Sequence, residues 1–279
     1  MFAIDSIDMT DPQAPARFLA SLRDTGFAVL RAHPIDAALI RRLHDGWARF
    51  FADPAKHRWT RAPGSQSGYF PFRSENAKGV AVKDLKEFFH VYPDTALPPG
   101  VADDTREIYR QLSDLGTTLL GWIQEELPAG IRDRLSEPLP AMVAGSDRSL
   151  FRVLNYPPVG EDAEPGAVRA AAHEDINLIT LLVAGSEPGL EARDTAGRWH
   201  AVPCDAGMIA VNGGDMLALA TAGYLPATTH RVVNPARGDH TARQSMPIFI
   251  HPRPEVRLAA DKTAAAYLAE RLREIGLAG

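Results

Sequence analysis

A mainly β fold of sandwich, jelly-roll or barrel type, flanked by helices, is what this sequence predicts, and two observations carry that prediction. Beyond residue 145 the chain breaks into short runs of strand-forming residues separated by Gly, Pro, Asn and Asp. Before it, apolar residues recur at helical spacing instead.

In chain order, Gly26-Phe27-Ala28-Val29-Leu30 reads as a short buried strand after a turn. Leu39, Leu43, Trp47 and Phe50, spaced by four and three, mark one helix face. Residues 61–84, rich in Gly, Pro, Ser and charge, read as a long loop, and such loops are often functional. Ile108, Leu112, Leu115, Leu119 and Ile123 define a longer helix. Asp103 and Asp104 stand at its start, where acids favour the positive end of the dipole. Strands are predicted at Leu150–Tyr156, Leu178–Val183, Leu190–Arg193, Met208–Val211, Met216–Ala220, Thr229–Val233 and Ser245–His251. Gly160–Ala172 is predicted to be a mobile loop. The chain ends in a helix capped by Asp261, carrying Leu268, Leu272 and Ile275 and closed by Gly276. The organisation expected is a helical or mixed region over 1–145, a β domain over 146–260 and a terminal helix over 261–279.

Charge and cysteine content narrow the function classes. A net charge of −5 and a pI of about 6.0 give no basic footprint for nucleic acid or an anionic membrane. One cysteine, Cys204, cannot form an intrachain disulfide, which agrees with a reducing compartment. The acidic start, MFAIDSIDMT, does not read as a signal peptide, and no apolar run is long enough to span a bilayer. The expectation is a cytoplasmic monomer or small homo-oligomer with a small-molecule substrate.

The chemistry concentrates at His173-Glu174-Asp175, which runs into the apolar stretch Ile176–Leu182. On a strand, positions i and i+2 share a face, so His173 and Asp175 would project together and Glu174 away. A second histidine, His230, begins another strand. Two histidines and a carboxylate match the facial triad of non-haem iron(II), which leaves positions open for a chelating 2-oxo acid and O2. Arg243 and Ser245 form a second i, i+2 pair entering a β run. A guanidinium fork and a hydroxyl suit the distal carboxylate of 2-oxoglutarate.

Taken together, these motifs resemble the isopenicillin-N-synthase-like branch of the 2-oxoglutarate/iron(II) dioxygenases, over nearly the whole chain. Thr25–Leu30 resembles the family's "GF" strand; Phe50-Phe51, Pro54 and Lys56 its "FF…P…K" helix end; Gly68-Tyr69 and Asp84–Phe88 its "GY…D.KE.F" region. Arg152–Pro158 resembles R-x-N-Y-Y-P-P, and Gly214-Asp215 with Thr221-Ala222-Gly223 resembles the "GD…TnG" turn. The resemblance implies a distorted double-stranded β-helix, a cupin-like jelly roll, with a helical N-terminal portion. It implies Fe(II), 2-oxoglutarate and O2 as cofactors, with succinate and CO2 as co-products of a hydroxylation. His173, Asp175 and His230 map onto the iron ligands, and Arg243, Ser245 and Tyr156 onto the 2-oxoglutarate site. Leu154 departs from the family's Asn and Asn155 from its first Tyr. An insertion is expected near Gly238-Asp239-His240, and Arg237 is a rival anchor without a following serine.

Members that halogenate commonly replace the carboxylate, so Asp175 implies oxygen transfer, desaturation or cyclisation. The alternatives are a 2-oxoglutarate-independent oxidase or cyclase of the same fold, distinguished by succinate release, and a non-catalytic binding jelly roll, distinguished by failure to bind Fe(II). Tyr69, Phe70, Phe72, Arg73, Phe89, His90 and Tyr92 are candidates to line the barrel mouth. Arg152 lies four residues before Tyr156, on the same strand face, and inside a barrel would need an anionic partner. That points to an amino acid or other carboxylate as substrate. Trp199 and Phe249 are expected to pack the barrel and His251 to end a strand. Cys204, His33, His44, His57, His200 and His240 are given no catalytic part.

Overall fold

Period-two alternation across the central strands sorts side chains onto two faces, and each face has its own partner. The computed structural model describes residues 2–74, 84–158, 169–183, 189–234 and 242–274. The first half contains β1 (Ser6–Asp8), α1 (Ala14–Thr25), β2 (Phe27–Arg31), α2 (Ala37–Ala52), β3 (Gly68–Phe70), β4 (Glu87–Val91), α3 (Ala102–Glu126), α4 (Ala129–Arg132) and α5 (Leu139–Val143). The second contains β5 (Leu150–Tyr156), β6 (Ala170–His173), β7 (Ile179–Val183), β8 (Leu190–Arg193), β9 (Trp199–Ala201), β10 (Ile209–Gly213), α6 (Asp215–Ala220), β11 (His230–Val232), β12 (Arg243–Ile250), β13 (Arg257–Ala259), β14 (Lys262–Thr263) and α7 (Ala264–Glu274). A large sheet runs β1-β2-β10-β7-β12-β5-β4-β3, and a small one β6-β11-β8-β9. The large sheet therefore takes strands from both sides of residue 145.

Residues opposite each other across a ladder share a face. One such row reads Ala28, Val211, Leu181, Ile248, Phe151 and Val91. All six are buried, and they join the main core with Phe18 and Leu22 of α1, Leu43 and Trp47 of α2 and Leu112 and Leu119 of α3. The row one residue along faces the other way: Phe27, Asn212, Thr180, Phe249 and Leu150. This inner face looks toward the small sheet, and Phe27, Val29 and Ala210 pack there with Ala192 and Val202. A helix-backed outer face and a sheet-backed inner face make the jelly roll.

The helices follow their predicted stripes. The buried residues of α3 include Ile108, Leu112, Leu115, Leu119 and Ile123. Helix α1 ends at Gly26 with φ 72°; a Cβ there would lie 2.1 Å from the Thr228 hydroxyl, so only glycine fits this turn into β2.

Three expectations are corrected. Met216–Ala220 is the helix α6, not a strand: its buried residues Met216, Leu217 and Ala220 sit at i, i+1 and i+4, and Asp215 opens the first turn. Asp261 does not cap the last helix; Lys262 and Thr263 first pair with β13, and α7 begins at Ala264. Of the predicted loop Gly160–Ala172, Ala170–Ala172 belongs to β6, whose Ala-Ala-Ala run has no alternation to reveal it and is fixed by pairing with β11. Residues 75–83, 160–168, the Gly238–His240 insertion, Arg237, Ile275 and Gly276 lie outside the described residues. Strand β3 falls inside the stretch read as loop, and β4, buried along its whole length, shows no alternation either. Among the described residues no helix is long and apolar enough to cross a membrane.

Candidate active site

The two sheets approach a common point from opposite sides. Strands β6 and β11 are antiparallel, and His173 and His230 are directly opposed Cα partners. Each ring turns its Nδ1 back to its own strand: the His173 Nδ1–H donates to the Ala171 carbonyl at 2.8 Å, and that of His230 to the Thr228 carbonyl at 3.0 Å. A carbonyl can only accept, so both Nε2 atoms carry the lone pair. That is the tautomer a metal-binding imidazole needs, held by the outer contact such ligands use.

Asp175 is not on the strand with His173, as the i, i+2 spacing predicts; β6 stops at His173. The carboxylate is instead captured by the large sheet. Thr180 Oγ1 donates to its Oδ2 at 2.6 Å and Asn212 Nδ2 donates to the same oxygen at 2.8 Å. Thr180 and Asn212 are neighbours in the inner row, so a sheet register sets where this carboxylate points. Its Oδ1 then faces the Nε2 of His173 and of His230, 3.7 Å from each. The ligand atoms of the three residues lie within 4.8 Å of one another. Glu174 points elsewhere and accepts from Thr229 Oγ1 at 2.9 Å.

The turn before α6 holds the backbone of this loop. Gly214 N donates to Leu178 O at 2.9 Å, Asp215 N to Asp175 O at 2.9 Å and Met216 N to Asn177 O at 3.1 Å. A Cβ on Gly214 would stand 2.3 Å from the Asn177 carbonyl oxygen, so the approach requires glycine.

Electrostatics match the donor set. Burial alone would raise the Asp175 carboxyl, but the His230 and His173 rings and the bonds from Asn212 and Thr180 outweigh it and hold it below the usual carboxylate range. Desolvation by the packed chain, then the neighbouring His230 ring, push His173 down to about 4. One edge of that ring stays open to solvent, the side chain being 40% exposed, as a site with room for further ligands demands. Two neutral imidazoles and one carboxylate, supported by outer hydrogen bonds, fit a divalent iron ion. Thr180→Val and Asn212→Leu should each weaken Fe(II) or Co(II) binding roughly 10- to 100-fold, read by anaerobic metal titration; unchanged affinity would deny them this supporting part.

Asp215 sets a separate test. Burial raises its carboxyl to about 7, with Tyr267 and Arg271 opposing the shift. Unfolded, it ionises near 3.8. Between these values the folded protein holds the extra proton, so its contribution to stability is present below pH 3.8 and lost as pH rises to 7. Asp215→Asn should flatten the fall in melting temperature of the metal-free protein across that window. An unchanged slope would contradict the assignment.

Farther along the inner face, Arg243 and Ser245 lie opposite Tyr156 and Leu154. Arg243, Ser245 and Tyr156 are all buried, and the guanidinium lies 5.5 Å from the Tyr156 ring centroid. Leu154, Phe88 and Phe70 continue the face with Tyr156 as one apolar cluster. Burial pushes the Cys204 thiol up to about 11, in keeping with no catalytic part.

The predicted mouth residues separate. Phe70, His90 and Arg152 are on the inner face, and Tyr92 is half-buried near Arg152. Tyr69 and Phe89 face outward: Tyr69 donates its hydroxyl to Glu87, and Phe89 packs on Trp47 and Phe50. Phe72 is exposed, with the Arg73 guanidinium 5.4 Å from its ring. Sequence reasoning missed Thr180 and Asn212; it set Phe249 in the barrel packing and His251 at a strand end. Alternation from Arg243 and Ser245 along β12 puts Phe249 on the inner face, and His251 follows directly after the strand. The His251 Nδ1–H donates to the Phe249 carbonyl at 3.1 Å, and burial lowers its proton affinity while Asp175 raises it.

Two family models match the chain. The 2OG-Fe(II) oxygenase superfamily covers residues 148–252. The N-terminal region of the non-haem dioxygenase in morphine synthesis covers residues 4–112. Among solved structures, an oxygenase from Shewanella oneidensis is 44% identical, with a TM-score of 0.89 over 98% of this chain and 99% of that one. A 2OG-Fe(II) oxygenase family protein from Caulobacter crescentus is 33% identical, with a TM-score of 0.79 over 98% and 99%. Among curated proteins, feruloyl CoA ortho-hydroxylase 2 of Arabidopsis thaliana is 26% identical over 90% of this chain and 70% of its own length.

Proposed function

Because the chain belongs to the 2OG-Fe(II) oxygenase superfamily, we propose that His173, Asp175 and His230 bind its iron, that Arg243, Ser245 and Tyr156 bind its 2-oxoglutarate, and that it hydroxylates a small molecule. Enzymes of this family require Fe(II), 2-oxoglutarate and O2. The observation that supports the reading best is the convergence of two Nε2 lone pairs and one carboxylate oxygen between the sheets. Bound iron, with O2 and 2-oxoglutarate, supplies the oxidant and leaves succinate and CO2 as co-products.

The protein's own groups do the rest. Thr180 and Asn212 hold one carboxylate oxygen of Asp175 so that the other faces the imidazoles. Arg243 offers two parallel N–H donors to a carboxylate, and Ser245 a hydroxyl, from one face of β12. Burial of both strengthens these bonds by keeping water away. Leu154 supplies apolar cover where relatives of the resemblance carry an amide, so the anchoring falls to Arg243, Ser245 and Tyr156. The intact Asp175 favours oxygen transfer to the substrate. The Arabidopsis relative's name as a hydroxylase of feruloyl CoA agrees with a small organic substrate. The test is succinate release that depends on both Fe(II) and O2. Oxygen consumption without succinate would favour a 2-oxoglutarate-independent oxidase instead.

A further inference from the structure

Strand β6 reaches the metal site with an irregularity in its pairing. Its register with β11 runs from Ala170 opposite Val232 to His173 opposite His230, so Ala171 and Ala172 stand where β11 offers Arg231 alone. A bulge of this kind re-aims the side chain beside it and leaves backbone groups off the ladder. Ala171 uses both of its own. Its carbonyl accepts the His173 Nδ1–H at 2.8 Å, and its N–H donates to Asp84 Oδ1 at 3.3 Å. Asp84 Oδ2 accepts from Lys86 Nζ at 2.9 Å, and Asp84, Lys86 and Ala171 are all buried. An edge N–H in water needs no such partner; a buried one does, and a buried carboxylate needs a cation in turn. Lys86 directly precedes β4, so this pair reaches the small sheet from the large one, just as Thr180 and Asn212 reach Asp175. The two imidazoles need such support unequally. His230 is wedged edge-on against Phe27, with ring centroids 5.6 Å apart, and its side chain is 9% exposed. The His173 side chain is 40% exposed, so its direction depends more on the Ala171 carbonyl.

We propose that Asp84, balanced by Lys86, is a positioning residue for the metal centre: it pins the Ala171 bulge and so fixes the direction in which His173 presents Nε2. This deepens, and rests on, the iron-site reading above. The contacts run from Lys86 to Asp84, from Asp84 to the Ala171 N–H, and from the Ala171 carbonyl to His173. Without the Asp84 oxygen, the Ala171 N–H loses its acceptor where it is buried, and the bulge shifts toward whatever can replace it. The carbonyl of the same residue moves with it, and the imidazole follows its acceptor. Asp84 acts on the metal through Ala171 and His173. The Asp84 and Lys86 of the D.KE.F motif thereby gain a task at the metal centre.

The experiment uses the full chain loaded with Co(II), whose unpaired electrons carry the Nδ1–H protons of bound imidazoles far outside the ordinary NMR range. Wild type should show two such exchangeable signals, the faster-exchanging one from the more exposed His173 ring. Asp84→Ala, its folding checked by the melting temperature of the metal-free protein, should weaken Co(II) binding roughly 10- to 100-fold. At saturating Co(II) the variant should shift the His173 signal and speed its exchange, while the His230 signal stays in place. Asp84→Asn keeps an acceptor oxygen and should lose less on both readouts. Wild-type Co(II) affinity in Asp84→Ala, or two signals that both stay or move together, would overturn the proposal. So would an Asp84→Asn protein as impaired as Asp84→Ala, which would assign the effect to charge balance with Lys86. Should neither variant fold, hydrogen exchange in wild type decides: the Ala171 amide should be protected, and exchange at the rate of an open chain would overturn the pin. A wild type with no shifted imidazole protons would instead sink the metal-site reading beneath it.

Discussion

Replacing Asp175 with alanine is expected to abolish 2-oxoglutarate turnover and to cut Fe(II) affinity by more than the roughly 10- to 100-fold typical of a supporting residue. The reason is geometric as well as electrostatic. Asp175 is the one negative donor among the three, and its Oδ1 is equidistant from both imidazole Nε2 atoms. Without it, two neutral rings from the small sheet remain as the donors of the triad. The substitution also strips the Thr180 hydroxyl and the Asn212 amide of their shared acceptor inside the protein. Losing such partners costs on the order of 1–3 kcal/mol each, so a lower melting temperature should accompany the loss of activity. His173→Ala tests the same centre while leaving those two hydrogen bonds in place. Folded variants that retain Fe(II)-dependent succinate release would refute the ligand assignment.

Arg243→Ala is expected to raise the 2-oxoglutarate requirement steeply while Fe(II) binding persists. A charge-assisted pair contributes about 1.5–3 kcal/mol, which corresponds to roughly 10- to 150-fold in affinity. Burial of Arg243 beside Tyr156 and Ser245 places the effect at the upper end. Arg243→Lys should recover only part, because an ammonium cannot make the bidentate contact. Titration of succinate release against 2-oxoglutarate reads both. An unaltered requirement would move the anchor elsewhere, with Arg237 the candidate the sequence itself offers.

Much of this architecture was legible before any coordinates, for identifiable physical reasons. Strands β5 and β8 fall where turn residues bracket them, and the α3 stripe gives its buried face. Central strands β2, β7 and β10, covered on both faces of the large sheet, are legible as short apolar runs between turn residues. Legibility failed where neither alternation nor a bracketed apolar run marks the strand. Strand β4 is buried along its length and β6 is a run of alanines, so neither shows a period of two. Helix α6 is six residues long, too short for its stripe to compete with a strand reading of Met-Leu-Ala-Leu-Ala.

The site divides the same way. The three side chains expected to meet around a metal do converge, but not by the expected route. The i, i+2 argument puts His173 and Asp175 on one strand; the chain leaves the strand after His173, and hydrogen bonds from β7 and β10 recover the carboxylate. Those partners, Thr180 and Asn212, lie 32 positions apart in sequence and become neighbours only through the β7–β10 register. No local pattern announces such a pair. Tyr69 shows the converse: its motif marks the right region, but the parity of β3 sends its hydroxyl to Glu87 on the helix-backed face.

The most direct measurement is an anaerobic titration of the Fe(II)-loaded protein with 2-oxoglutarate, watched for the visible charge-transfer band of the chelate. Saturable growth of that band in wild type, absent in Asp175→Ala and shifted to higher 2-oxoglutarate concentration in Arg243→Ala, is the expected result. No band in wild type, or an identical titration in all three proteins, would contradict an iron centre built between these two sheets.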